Sequence, residues 1–156
     1  MTTEDAPDTD HPAEPQTPRP VVEWVSMVYD ADGGLRGELA YVVGKLRGAH
    51  CALCDITHSA VRAKPAFVEL TCSLPVPVDV LHRNEQAPEL AAFTAGIEPV
   101  VVAHTDGGLE VLMDADALDG CHGSVEAFDR ELLGRLEGRT PTGGTPEGSR
   151  QVRPPA

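Results

Sequence analysis

The chain has 156 residues, and 25 acidic against 12 basic side chains give a net charge of −13. That balance excludes a nucleic-acid surface, whose phosphates need a cationic face, and disfavours adsorption to an anionic bilayer. No apolar run reaches the roughly 20 residues of a membrane span, so neither nucleic acid nor membrane is expected among its partners.

Residues 1–20 carry Pro12, Pro15, Pro18, Pro20 and five acidic residues, with nothing aliphatic larger than alanine except Met1. Residues 138–156 are rich in Gly, Pro, Thr and Arg, with Val152 the only branched aliphatic. Neither stretch can bury enough apolar surface to offset chain ordering. The expectation is one domain over residues 21–137 between two disordered tails. The start, MTTEDAPDTD, lacks a basic n-region and an apolar core, so no secretory signal and a cytoplasmic location are expected. There thiols stay reduced, and the 4 cysteines suggest metal binding, redox chemistry or plain burial.

Val21 to Tyr29 is β-branched and aromatic, and reads as a buried strand with Trp24 and Tyr29 in the core. Asp30-Ala31-Asp32-Gly33-Gly34 closes it. Leu35, Leu39, Val42, Val43 and Leu46 then recur at helical spacing, with Gly48 as the C-cap. His50-Cys51-Ala52-Leu53-Cys54-Asp55-Ile56-Thr57-His58 follows, and Thr57 to Phe67 predicts a short helix interrupted near Pro65. Pro77 to His82 predicts a second strand, and Ala87 to Ala95 a short helix with Pro88 in its first turn. Pro99 to His104 and Gly108 to Met113 flank Thr105-Asp106-Gly107, a hairpin with an Asp-Gly turn. Asp114-Ala115-Asp116 reads as a loop with capping roles. Val125, Phe128, Leu132, Leu133 and Leu136 form the stripe of a closing helix with Ser124 as N-cap.

This order of elements, most clearly from Pro77 to Glu137, resembles the thioredoxin-like fold. The resemblance implies an α/β single-domain three-layer sandwich around a central mixed sheet. It also implies a cis-proline before the strand that enters the hairpin, and Pro99 holds the matching place. Thioredoxins carry Cys-x-x-Cys at the start of the first helix; here Asp30 to Gly34 stands there and the cysteines come after that helix. The family's redox mechanism therefore does not transfer to Cys51 and Cys54 by position. The chain also resembles small uncharacterised bacterial proteins with a Tyr-x-Ala-Asp-x-Gly turn followed by Cys-x-Leu-Cys, which implies no activity.

Cys51 and Cys54 are the candidate catalytic pair, since thiols at this spacing close a reversible disulfide or point at one metal ion. As a zinc site they need further Cys or His ligands. His58 completes a Cys-x2-Cys-x3-His spacing and His50 is adjacent, with Cys72 and the Cys121-His122 pair as more remote donors. A competing site is the strand ending in Asp30-x-Asp32-Gly33-Gly34, which resembles the first motif of haloacid-dehalogenase-like phosphatases. That resemblance implies Asp30 as nucleophile, Asp32 as general acid and magnesium as cofactor. The chain departs from the motif at Gly34, where the family has threonine. A further magnesium pair would have to come from Asp114, Asp116 or Asp119, after a hairpin. A plain structural role for the two aspartates is helix capping. His82, beside Arg83 and Glu85 at a strand end, lies where open α/β sheets place their sites. The sequence thus points to a cytoplasmic protein working through a Cys51/Cys54 dithiol, in metal binding or thiol redox chemistry. The alternatives are a magnesium-dependent phosphatase or a non-enzymatic interaction domain whose partner is a protein or small molecule.

Overall fold

The computed structural model describes residues 19–32, 51–59 and 62–140. The helix expected over Leu35 to Leu46, His50 and most of both expected tails lie outside these residues.

Strand β1 (Val22–Tyr29) is the axis of the molecule. It lies between β4 (Val78–His82), parallel to it, and β5 (Val100–Thr105), antiparallel to it, and β6 (Gly108–Met113) extends the mixed sheet to the order β4-β1-β5-β6. β1 is covered on both faces from Val25 to Tyr29, where every residue is buried and the side chains alternate between the two sides. Met27 and Tyr29 belong to the main core, while Val28 faces a smaller cluster with Leu90, Val100 and Val102.

Two register shifts adjust this alternation. One lies between Val22 and Trp24 and puts Val22 and Val25 in the same core despite their odd spacing. The other lies between Val101 and Val102 in the β5–β6 pairing, where the adjacent Leu112 and Met113 are both buried in the main core. An extra residue in one strand re-aims the side chains that follow it.

After β1 the described chain resumes at Cys51 and forms α1 (Ala52–Thr57), then the two-residue strands β2 (His58–Ser59) and β3 (Arg62–Ala63), paired as a small hairpin. Helix α2 (Pro65–Ser73) follows. The sequence suggested a single short helix broken near Pro65. Instead Pro65 opens a helix, because at the first helical position its missing N–H is not needed and its φ is already right. Helix α3 (Pro88–Thr94) begins with Pro88 in the same way.

The β5–β6 hairpin turns through Asp106 and Gly107, as the sequence indicates. Asp114 caps α4 (Ala115–Asp119), a short helix where the sequence predicts a loop, by accepting the Ala117 N–H at 2.9 Å. Ser124 caps α5 (Val125–Leu136) by accepting the Ala127 N–H at 3.2 Å. From α5, Val125, Phe128, Leu132 and Leu136 enter the main core while Leu133 is exposed, the one member of the expected stripe that turns outward. The main core collects residues of α1, α2, α4 and α5 on one face of the sheet, and Leu90 of α3 packs on the other.

The first and last described segments meet at one corner. Val22 donates its N–H to the Arg139 carbonyl at 2.7 Å. The Arg139 guanidinium, buried in a segment read from the sequence as tail, grips Glu110 through Nη1 at 3.0 Å and Nη2 at 2.5 Å. No helix among the described residues is long and apolar enough to cross a membrane.

Candidate functional site

The cysteine segment folds as the start of α1. Cys51 is its N-cap, in extended conformation, and its sulfur accepts the Cys54 N–H at 3.4 Å. The two cysteines are joined as a disulfide with their Cα atoms 5.3 Å apart, and both residues are buried. Hydrophobicity explains how the sequence holds them there. Ala52, Leu53 and Ile56 point into the main core, so the helix is pinned along its length.

Three polar contacts complete the anchoring. The buried Tyr29 hydroxyl donates to the Thr57 hydroxyl at 2.8 Å, linking the end of β1 to the end of α1. Lys64 donates from Nζ to the Asp55 carbonyl and to the Gly123 carbonyl, each at 2.7 Å. A groove of about 560 Å³ runs beside α1, lined by Ala52, Asp55, Leu118, Asp119, His122 and Gly123. Ala52, which lies between the two cysteines in sequence, contributes to the groove from the first turn of the helix. His122, at its rim, has φ of 50°, a left-handed conformation uncommon for a residue with a Cβ.

His58, the third expected zinc ligand, does not join the cysteines. Among the described residues no three His, Cys, Asp or Glu side chains come together as a metal site. The reason is local: the helix ends at Thr57, His58 starts β2, and its ring turns to the edge of Tyr29 at 5.8 Å between centroids. Its Nδ1 lies 2.7 Å from the Thr57 hydroxyl. The Thr57 hydroxyl, which accepts from Tyr29, also donates to the Cys54 carbonyl at 3.5 Å, so His58 joins a network that runs from β1 into α1. Burial first, then the nearby His82 and Lys64, push its pKa below the ordinary 6.5.

The remaining cysteines stand apart from this centre. Cys72 is exposed and free. Cys121 is buried, its thiol donates to the Ala117 carbonyl at 3.4 Å, and burial followed by Glu131 pushes its pKa up against the opposing Arg130 and Arg135. Neither thiol is part of a ligand group.

Asp30 and Asp32 share one cation. Arg83 contacts Asp30 through Nη1 at 3.2 Å and Asp32 through Nε at 3.4 Å, and its N–H donates to the Ala31 carbonyl at 2.9 Å. The turn is thereby clamped to the short 3-10 segment after β4 (Arg83–Glu85). Asp114 spends its carboxylate on capping α4, and no third carboxylate gathers with Asp30 and Asp32 among the described residues.

The structure also assembles groups the sequence reading treated singly. His82 and Tyr29 are register partners across β4 and β1, with ring centroids 5.2 Å apart, and Glu85 binds His82 Nδ1 at 2.8 Å. Tyr29, Thr57, His58, His82 and Glu85 thus form one constellation at the carboxyl ends of the two parallel strands. Its only trace in sequence is that Tyr29 and His82 both end strands. On the opposite sheet face Trp24 is not core but half-buried, stacked on His104 at 4.2 Å, and His104 Nε2 lies 2.8 Å from the Ser26 hydroxyl. No family model, curated protein or solved structure matches this chain.

Proposed function

We propose that the protein is a thiol–disulfide redox protein that cycles Cys51 and Cys54 between disulfide and dithiol. The observation that carries this reading is the placement of the two cysteines as a bonded pair at the head of a helix pinned to the sheet. The fold is proposed to be thioredoxin-like. The sheet order β4-β1-β5-β6, with β5 alone antiparallel to the other three strands, supports that reading.

The chemistry is thiol–disulfide exchange with a thiol partner, protein or small molecule. A partner thiolate attacks one sulfur, the Cys51–Cys54 bond breaks, and a mixed disulfide forms. A second partner thiolate then displaces the remaining protein sulfur. The protein gains two electrons and two protons, and the partner leaves as a disulfide. Which sulfur is attacked first follows from access. In a reducing cytoplasm the resting form would be the dithiol. Zinc has less support, since His58 is directed to Tyr29 and the bonded sulfurs offer no thiolate.

The test is equilibration of the purified protein in glutathione buffers of graded ratio, followed by acid quench, alkylation and mass spectrometry. The expected result is a single two-electron transition confined to Cys51 and Cys54 and abolished in Cys51→Ser. A pair that stays in one state across the whole series would sink the reading.

A further inference from the structure

Lys64 is half-buried between β3 and α2, and its ammonium is held by two backbone carbonyls, those of Asp55 and Gly123. The ion pairs of the described residues are made by arginines and one histidine, and Lys64 is in none of them. Lys64 is thus hydrogen-bonded to carbonyls and not to a carboxylate, and Glu126 is a carboxylate within reach of its field. Carbonyl dipoles solvate an ammonium and fix its position without neutralising it.

That position is informative. Asp55 directly follows Cys54, and its own N–H donates to the Cys51 carbonyl at 3.1 Å. The ammonium is therefore anchored to the residue that follows Cys54. Its field is felt at two further groups. It contributes to lowering the His58 pKa, after burial and His82. It also contributes, after the backbone N–H and the Ser124 hydroxyl, to holding down the exposed Glu126 carboxyl.

We infer that Lys64 is a positioning residue for the Cys51/Cys54 pair, its fixed cation favouring the reduced dithiol over the disulfide. The inference rests on the redox reading above and names what tunes that site. The disulfide carries no charge, whereas a reduced pair near neutral pH has thiolate character, and a nearby cation stabilises thiolate. In the balanced exchange, protein disulfide plus two glutathione thiols giving protein dithiol plus glutathione disulfide, such a cation raises the equilibrium constant.

The experiment compares this constant in full-length wild type, K64M, K64Q and K64R, with thermal unfolding of each to establish that it is folded. Methionine keeps the length and removes the charge; glutamine keeps an N–H donor without charge; arginine keeps charge and donors. K64M and K64Q are expected to shift the constant toward disulfide by about 3- to 10-fold, the effect of a half to one unit in thiol acidity. K64R is expected to stay within about 2-fold of wild type. Wild-type constants in K64Q and K64M, or an equal shift in K64R, would overturn the inference. Should K64M fail to fold, K64Q against K64R decides. A wild-type pair that does not interconvert takes down the redox reading and this inference together. A cycling wild type with an unshifted K64Q takes down this inference alone.

Discussion

The Arg139–Glu110 pair is asymmetric, and the asymmetry makes a quantitative prediction. Arg139 is 5% exposed, whereas the Glu110 side chain is 45% exposed. Removing Glu110 strands a buried guanidinium whose remaining described partner is the Pro20 carbonyl, 3.3 Å from Nε. Removing one partner of a buried ion pair costs about 3–5 kcal/mol, and water entering where the half-exposed carboxylate stood lowers that, so Glu110→Ala should destabilise by about 2 kcal/mol. Arg139→Met keeps most of the buried stem and leaves a half-exposed carboxylate that water solvates at little cost. Its penalty is then mainly one hydrogen bond and a partly screened ion pair, about 1 kcal/mol. The double variant should cost little more than Arg139→Met, because the stranded charge no longer exists. That amounts to a coupling of about 1–2 kcal/mol. Urea unfolding with a common m value measures all three. Arg139→Met costing more than Glu110→Ala, or a double variant that is simply additive, would refute the reasoning.

Three further outcomes concern the surroundings of α1. His58 titrates below 6.5 in the native state, so the unfolded chain takes up its proton first. Its contribution to stability is complete above 6.5 and is lost as pH falls from there through the native value. His58→Gln should flatten that part of a stability-against-pH curve, and an unchanged slope would count against the assignment. Gly123 has φ of 71°, and a Cβ there would come within 3.5 Å of the Asp55 carbonyl oxygen. Gly123→Ala should therefore cost about 1–2 kcal/mol through backbone strain. His122→Gly should be close to neutral in the same melts, relief of strain being offset by the added freedom of the unfolded chain.

Local rules made much of the fold legible. The β-branched run of β1, Pro88 at a helix start, the Asp106-Gly107 turn and the Ser124 cap each follow from constraints within a few residues, and each stands where those constraints put it. Pro65 shows the limit of such reading. The same ring that breaks a helix interior opens one at its first turn, and the flanking residues do not say which applies. The site was half legible. The spacing of Cys51 and Cys54 allowed a bond or a shared metal, and their joining depends on backbone geometry at Cys51. The direction of His58 depends on Tyr29 and His82, which are remote in sequence and brought near only by the parallel pairing of β1 with β4. Lys64 and Arg139 carry no local signal, because each matters through carbonyls or carboxylates supplied by distant segments.

The bond between Cys51 and Cys54 spans a sequence separation of 3. The entropy a crosslink removes from the unfolded chain grows with the loop it closes, from about 2 kcal/mol for so tight a ring to nearly 5 kcal/mol for one of a hundred residues. The rest of the molecule, its sheet and its two faces of helix, is joined without that bond. The bond lies within one segment and outside every strand pairing. The covalent state of the sulfurs is thus linked to global folding by no more than the entropy of that small ring, a chemical variable the scaffold can register while its strand order stays the same.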